Sequence, residues 1–245
     1  MKRAIIFLLS FIILCTCSPQ DAPDDLPFDT FTDNRDGNVY KMVTIGDQIW
    51  MAENLAYLPN VVGPAPGSTS TPYYYVFGYD GSNVSVAKAT NNYNTYGVLY
   101  NWSAAIVACP YGWHLPSDAE WTQLVNYLAN SGHNYDGSTG GGGAKIGKSM
   151  AKKSGWSISS IVGSVGNIDY PEYRNKSGFS ALPGGARFFN YGQFSNSNSG
   201  LWWTSTEYMG TTLYALLWGL DYDDSAVNDY YNSKVAGFSV RCVKN

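Results

Sequence analysis

Charged side chains are scarce in this sequence. Its 245 residues include 15 Lys and Arg and 19 Asp and Glu, together 14% of the chain, and the formal net charge is −4. A protein that binds nucleic acid needs an excess of cations to neutralise phosphates. The balance here is slightly acidic, so we expect no nucleic-acid partner.

Histidine and cysteine are scarcer still. The chain has two histidines and four cysteines, whereas a zinc site needs several such ligands at close spacing. His114 and His133 stand far apart in the sequence. Four aspartates between 221 and 229 could offer oxygen ligands to Ca²⁺, but their spacing is not that of an EF-hand loop, and a solvated turn explains them as well. We therefore predict no metal and no other cofactor.

Patterns typical of catalysis are also missing. No Gly-x-Ser-x-Gly elbow supports a serine nucleophile, and no strong strand is predicted before the four glycines at 140–143, as a phosphate-binding loop would require. A glycosidase-type carboxylate pair would have to include Glu207, which lies in a strong β pattern. We predict that the protein is not an enzyme, and the alternative is a surface polysaccharide hydrolase that uses Glu207.

Glycine, tyrosine and tryptophan are abundant, with 26, 20 and 8 residues, and 44% of the chain is apolar. This composition supplies one sizeable core and favours strands and loops that pack through aromatic rings. Alternation of apolar and polar residues, together with aromatic and β-branched runs, predicts strands at Val39–Ile45, Gln48–Met51, 202–207, 214–220 and 237–243.

One helix start is well marked. Ser117 and Glu120 have the spacing of a capping box, and Leu115 could pack on Trp121 as a hydrophobic staple. Apolar residues then recur at helical spacing, which predicts a helix over 120–130.

Other helical patterns are weak. A shorter helix is expected within 96–108, packed on the same core. The segment 57–95 is interpreted as a long insertion with one irregular hairpin at the surface.

The first residues indicate export. A charged start and a short apolar run form the pattern of a signal peptide over 1–16. The residues before Cys17 resemble a bacterial lipobox, so Cys17 is the predicted lipidation site, and ordinary secretion is the alternative. The acidic stretch 17–27 has nothing to bury and is interpreted as a tether. It resembles export signals of outer-membrane lipoproteins, so we expect a domain held on the outer membrane by lipid alone and facing the cell exterior.

Two further cysteines remain after such cleavage. Cys109 and Cys242 would lie in an oxidising compartment, where pairing is the default. A disulfide would close a very long loop and contribute about 4–5 kcal/mol in the chain-entropy model. Two buried free thiols are the alternative. A bond would tie the helical region to the last strand, and we predict a single domain over 28–245.

Several sequence blocks carry a family resemblance. They are DGNVY at 36–40, WMAENL at 50–55, YGVLYNW at 96–102, CPYGWHLPS at 109–117, WTSTE at 203–207 and GFSVRCV at 237–243. In this order they resemble the Fibrobacter succinogenes major paralogous domain family of secreted bacterial proteins, from about Asp33 to Val243. The resemblance implies an α+β, C-type-lectin-like fold, in which two helices flank twisted antiparallel sheets with long loops and the terminal strands lie together.

The resemblance implies a fold more than an activity. The EPN or QPD and the WND triplets of calcium-dependent lectins do not occur here, so no calcium–sugar site is implied. Formylglycine-generating enzymes, which share the lectin-like fold, need two free cysteines in one cleft. Cys109 and Cys242 match the structural disulfide positions of such folds instead.

The segment 207–234 concentrates candidates for recognition, because Tyr brings contact area and Asn brings adaptable hydrogen bonds. In lectin-like folds the corresponding region often carries the ligand site. We predict an adhesion or binding module whose loops here recognise a glycan or a surface protein. Alternatively, Tyr and Asn are merely frequent, as at 91–96, and the protein is a structural subunit of the envelope. The candidate ligand-binding residues are Trp202, Glu207, Tyr208, Tyr222, Asp223, Asn228, Tyr230, Tyr231 and Asn232.

Overall fold

Twelve strands and five α-helices form within the residues that the computed structural model describes, 28–188, 192–195 and 197–245. The strands are β1 (Asp29–Thr32), β2 (Val39–Ile45), β3 (Gln48–Met51), β4 (Tyr74–Tyr75), β5 (Leu99–Tyr100), β6 (Trp113–His114), β7 (Ala186–Phe188), β8 (Gln193–Ser195), β9 (Ser199–Glu207), β10 (Tyr214–Asp221), β11 (Val227–Ser233) and β12 (Val243–Lys244). The helices are α1 (Val84–Lys88), α2 (Asn91–Tyr96), α3 (Trp102–Ala108), α4 (Asp118–Asn130) and α5 (Gly147–Met150), and 3₁₀ turns span Gly142–Lys145 and Pro171–Tyr173. The signal peptide, Cys17 and the tether predicted within 1–27 lie outside the described residues.

The largest sheet joins both ends of the described chain. Its strand order is β1-β2-β3-β12-β6, and a second sheet has the order β11-β10-β9. The last strand pairs with β3 through Val243 and Trp50, and the pairing is antiparallel. Strands from the beginning and the end of the domain therefore lie together, as the resemblance implied.

The hairpin of β2 and β3 forms with the bounds that alternation predicts. Ile45 pairs with Gln48, so a two-residue turn joins the strands, and Gly46 within it has φ +61°. Glycine is favoured at this position for two reasons. The backbone is left-handed, which glycine adopts without strain, and a Cβ would lie 2.9 Å from a ring carbon of Tyr127 on α4. The turn thus fixes how closely α4 packs on the sheet.

Helix α4 confirms the helix predicted over 120–130. The Ser117 side chain accepts a hydrogen bond from the Glu120 N–H, and the Glu120 carboxylate accepts one from the Ser117 N–H, which completes the capping box. The buried face comprises Trp121, Leu124, Val125, Leu128 and Ala129. The staple is wrong, because Leu115 and Trp121 pack in separate core clusters.

The core consists of two clusters of buried side chains on either side of the β9–β10 pair. Trp203 and Leu217 belong to the first cluster, with Phe238 and Tyr100. The neighbouring side chains, Trp202 and Trp218, belong to the second, with Trp121, Trp50 and Phe179. Both faces of these strands are covered, which explains why tryptophan is so frequent in the sequence.

A disulfide joins Cys109 to Cys242, with 5.9 Å between the Cα atoms and a sequence separation of 133. Cys109 is the residue at the C-terminal end of α3, and Cys242 precedes β12. The bond confirms the expected pairing and ties a helix to the five-stranded sheet.

Two predictions of local structure are wrong, and a third is confirmed in part. The segment 57–95 contains β4, α1 and most of α2 rather than one hairpin, and β4 pairs with β5. The short helix expected within 96–108 forms as α3 after β5, but its buried alanines pack in the first core cluster rather than with α4 in the second, and Ile106 is exposed. The segment 237–243 makes single bridges, including Tyr100 with Phe238, instead of a continuous strand.

The plan of two flanking helices is replaced by five helices in a mixed α and β architecture of several antiparallel sheets. Within the described part of the chain, every helix is too short or too polar to cross a membrane.

Candidate functional site

The predicted ligand-binding residues lie mainly on the sheet of β9, β10 and β11. The segment 207–234, which was predicted to bind through loops, is mostly strand: β10 and β11 pair over seven residues, from Tyr214 with Ser233 to Leu220 with Val227. This correction matters for the site, because a strand fixes the direction of each side chain whereas a loop does not.

The strand β11 divides the predicted site between two faces. Tyr230 pairs with Leu217 and Tyr231 with Leu216, and successive side chains of a strand point to opposite faces. The ring of Tyr230 lies over Gly219, where a Cβ would be 3.0 Å from it. Asn228 and Asn232 share the face of Tyr230. No single ligand surface therefore contains all the predicted residues.

Trp202 is a core residue, and its assignment to the ligand site is wrong. The side chain is fully buried, and its Nε1–H donates to Asn54 Oδ1 at 2.9 Å. It packs on Trp121 and Phe179 at ring distances of 6.0 Å. An aromatic residue in a strong β pattern can pack in the core or contact a ligand, and the pattern does not distinguish the two.

Exposed aromatic rings gather where β9 ends and β10 begins. The Tyr208 and Tyr231 rings stack with centroids 4.2 Å apart and planes 21° apart. The Tyr214 ring meets Tyr231 edge-on at 5.9 Å. The backbone N–H of Tyr208 donates to the Tyr214 carbonyl at 3.1 Å, which holds the two strand ends together. Tyr208, which follows β9, thus forms one aromatic group with Tyr214 of β10 and Tyr231 of β11.

The loop between β9 and β10 extends this group with apolar side chains. Met209 is 90% exposed and Leu213 is 54% exposed, and both line an open, shallow depression under the loop. We call Tyr208, Met209, Leu213, Tyr214 and Tyr231 the hairpin surface. The sequence prediction missed Met209 and Leu213, although Met209 beside Gly210, between two strong strands, is a detectable sign of an exposed hairpin tip.

Glu207 is part of an ion pair next to this surface. Its Oε1 lies 2.8 Å from Lys234 Nζ, and the lysine side chain is nearly buried while half of the carboxylate side chain is exposed. The ammonium also lies 4.1 Å from the centre of the Trp102 ring. The carboxylate therefore has a structural partner, and this arrangement offers no support for Glu207 as a catalytic acid or base.

The opposite face carries a polar group around Tyr230. Burial raises the pKa of Tyr230, and the nearby Asp221 carboxylate raises it further, so the phenol stays protonated at neutral pH. Asn228 donates to Asp224 at 3.1 Å, and the Asn232 side chain accepts from the Ser233 N–H at 2.8 Å. Both amides are thus engaged locally.

The turn between β10 and β11 holds the remaining predicted residues. Asp223 is exposed and Tyr222 is partly buried. The Tyr222 backbone N–H donates to Asn198 at 3.2 Å, so this turn is joined to the residue before β9. Among the residues with described positions, no three His, Cys, Asp or Glu side chains are grouped closely enough to hold a metal ion.

Residues 142–149 have the G-x-x-x-x-G-K-S spacing of a phosphate-binding loop, so excluding such a loop for want of this spacing is wrong. The surrounding structure differs from such a loop. The Lys148 side chain is fully buried, pairs with Asp169 at 2.8 Å and donates to the Asn167 carbonyl at 2.6 Å. Helix α5 is only four residues long and follows a 3₁₀ turn rather than a strand. The lysine is therefore committed to internal contacts.

Comparison with known protein families places this chain. The model of the Fibrobacter succinogenes major domain matches residues 43–244. The chain belongs to this family. Searches of curated proteins and of solved structures found no match.

The Fibrobacter succinogenes major domain of this chain begins within β2 and ends in β12. It therefore includes the hairpin surface, the polar group around Tyr230 and both cysteines. The resemblance had been drawn from about Asp33, ten residues earlier than the family match, so β1 and the turn after it lie outside the matched region. The family description assigns no activity, and function has to be argued from the surfaces themselves.

Proposed function

We propose that this protein is a non-catalytic binding module that is displayed on the outer membrane by a lipid on Cys17 and recognises a protein partner through the hairpin surface. The observation that carries the proposal is the group of three tyrosines, of which Tyr208 and Tyr231 are exposed, with the exposed Met209 and Leu213 beside it. Tyr and Met are enriched at the centres of protein interfaces, where they supply contact area.

The geometry favours a protein over a glycan. A sugar ring needs an open aromatic face with hydrogen-bonding groups at its edge. Here one face each of Tyr208 and Tyr231 is covered by the other ring. Asn228 and Asn232, the candidate amides that could meet sugar hydroxyls, lie on the other face of the sheet. The depression under the loop is open and shallow, so it would bury little of a sugar ligand's surface.

The partner should present an apolar patch with a cation at its border. Asp229 lies two residues from Tyr231 on the same face of β11 and is exposed, and it is the acid best placed to meet such a cation. Acidic groups at the border of an interface act mainly on orientation and on the association rate. The central affinity would come from the aromatic and apolar side chains.

The experiment compares two tyrosines that differ in the face they occupy. The purified mature chain is applied to an array of cell-surface proteins and to a glycan array, together with Tyr231→Ala and Tyr230→Ala. We expect binding to a protein, with affinity lowered about 30-fold or more by Tyr231→Ala, as for a hot-spot residue. Tyr230→Ala should bind as the parent does.

The matched control makes the outcome decisive. Both tyrosines are on β11, with exposures of 39% for Tyr230 and 54% for Tyr231. Because their burial is similar, any loss of stability caused by truncation to Ala should be similar in the two variants. Equal loss in both, loss in Tyr230→Ala alone, or binding to glycans alone would overturn the proposal.

We also propose the C-type-lectin-like fold as the finer description of the architecture. The pairing of β12 with β3 and the disulfide between α3 and the residue before β12 support it. An experimental structure that superposes on lectin-like folds with the same strand order would test it, and a different order in the five-stranded sheet would count against it.

A further inference from the structure

A cavity of about 470 Å³ lies apart from the hairpin surface and shares no lining residue with the depression there. It is lined by β2, the residues that follow β3, the end of α2, and Lys152, Ser180 and Arg241. Its volume lies within the range of small-molecule sites.

Arg241 forms part of the cavity wall and is almost completely buried, with 1% of its surface exposed. Its Nη2 donates to Asn54 Oδ1 at 3.2 Å and to the Ser180 carbonyl at 3.3 Å, and its Nη1 donates to the Phe179 carbonyl. The guanidinium also stacks on the Phe179 ring at 4.2 Å. These contacts fix its position.

The charge of Arg241 has no direct counter-ion among the residues described. None of their carboxylates forms an ion pair with it, and its buried Nε–H has no acceptor. Burial lowers the pKa of Arg241, with Glu53 the one acid that opposes this shift, but a guanidinium remains protonated at neutral pH. A buried cation without a partner is costly, and an anion in the adjoining cavity would offset that cost.

The other charges at the cavity have the same sign. Lys41 and Lys152 line it with Arg241, against the single carboxylate of Glu53. That carboxylate is already an acceptor for the Lys41 backbone N–H at 2.9 Å. The Lys152 side chain makes no hydrogen bond or ion pair with a described residue and is only partly exposed. The cavity thus carries a net positive charge, and none of these three cations forms an ion pair with a described residue.

The wall beside Arg241 is held in a costly conformation. Ser180, whose carbonyl accepts from the guanidinium, has φ +55°, a left-handed value that is uncommon for residues other than glycine. The Asn175 side chain fixes it by accepting from the Ser180 N–H at 2.9 Å. Such conformations persist where the surrounding structure enforces them, often at ligand sites.

We propose that this cavity is a binding site for a small molecule bearing a carboxylate or phosphate group, with Arg241 as its fixed charge partner and Lys152 as a second, adjustable cation. Guanidinium and ammonium groups are the usual protein partners of these anions. The site is independent of the hairpin surface and does not depend on the protein partner proposed for it.

The test titrates the mature chain with inorganic phosphate and, separately, with succinate at constant ionic strength held with NaCl. Binding is followed by calorimetry and by the NMR signal of the Arg241 Nε–H. We expect saturable binding of at least one of the two with Kd near or below about 1 mM, together with a shift of the Arg241 signal. Binding of phosphate alone assigns a phosphate ligand, and binding of succinate alone assigns a carboxylate.

Two variants of equal charge change separate a specific site from general attraction. Lys152→Glu places a negative charge, the same sign as that of the anionic ligand, at the cavity and should weaken binding at least tenfold. Lys244→Glu changes an exposed lysine that does not line the cavity and should leave the affinity unchanged. Because Lys152 supports no other described side chain, its variant should fold. Absence of saturable binding by the parent, or equal weakening by both variants, would overturn the proposal.

Discussion

Cys109 and Cys242 are bonded across 133 residues, so the end of α3 and the start of β12 stay together even when the chain between them unfolds. In the chain-entropy model a loop of this length contributes about 5 kcal/mol to stability, although measured values are often nearer 2–4 kcal/mol. The bond therefore limits the denatured chain more than it adds contacts to the folded one.

Removal of the disulfide should destabilise the domain by about 2–5 kcal/mol. The measurement is urea unfolding of Cys109→Ser/Cys242→Ser against the parent chain. Treating the parent with reductant should reproduce the loss, and the double variant should not respond to reductant. An unchanged unfolding midpoint in the double variant would contradict the prediction.

The capping box of α4 should contribute a smaller, local share of stability. Ser117→Ala removes the acceptor for the Glu120 N–H, and it should lower the free energy of unfolding by about 1 kcal/mol. Ser131→Ala at the other end of α4 is the control, because no side-chain hydrogen bond of Ser131 is found among the described residues. If both variants lose the same stability, the cap is not the cause.

The pair of Glu207 and Lys234 should be structural. Glu207→Gln would leave the nearly buried Lys234 ammonium without a carboxylate, and we expect a loss of about 1–2 kcal/mol, less than for a fully buried pair because water reaches Glu207. Adding Lys234→Met should recover part of this loss, since an aliphatic chain can still cover Trp102. The measurement is urea unfolding of the single and double variants.

Glu172→Gln is the matched control for that cycle, because Glu172 is exposed and forms no ion pair described in the structure. It should leave stability unchanged. The same Glu207→Gln protein also tests the hydrolase alternative. If the parent degrades a polysaccharide and Glu207→Gln does not, although it remains folded, the non-catalytic assignment is wrong.

The predicted anchor can be tested on cells. Cys17→Ala should move the protein from the membrane fraction to the soluble fraction, because a lipid chain is the membrane contact we propose. Mass spectrometry of the mature N-terminus should show acyl chains on Cys17 in the parent. A mature N-terminus without lipid would remove both the anchor and the localisation argued from it.

Local signals were sufficient for part of the fold. The hairpin of β2 and β3 and the helix α4 follow from alternation, a turn glycine and a capping box, all within a few residues of one another. The pairing of Cys109 with Cys242 followed from the small number of candidates. The hairpin and α4 depend on residues that are neighbours in the sequence, and the disulfide depends on a pairing for which few cysteines are available.

The recognition surface depended on information that lies elsewhere in the chain. Trp202 and Trp203 are adjacent and both fully buried, since core clusters cover both faces of β9, so alternation carries no sign of inside or outside there. Tyr230 and Tyr231 are adjacent residues of the same type, and nothing in a loop would distinguish them. Their pairing with β10 in a strand places them on opposite faces. Arg241 lies in a predicted strand, where alternation with Val240 and Cys242 suggests exposure, but the segment forms bridges to β5, β7 and β9 and Arg241 is buried.

Acid should destabilise the domain partly through Asp33. Burial opposes ionisation of this carboxyl, but hydrogen bonds from Arg35 outweigh it and hold the pKa of Asp33 below its ordinary value. A carboxyl with a lowered folded pKa adds stability that is present above its unfolded pKa of about 3.9 and is lost as pH falls through the folded pKa. Asp33→Asn should therefore be less stable at pH 7, and its stability should fall less steeply below about pH 4. Urea unfolding at a series of pH values measures this effect. Asp29→Asn, at an exposed position, is the control and should follow the parent. Parallel stability curves for Asp33→Asn and the parent would show that the pair with Arg35 does not control acid stability.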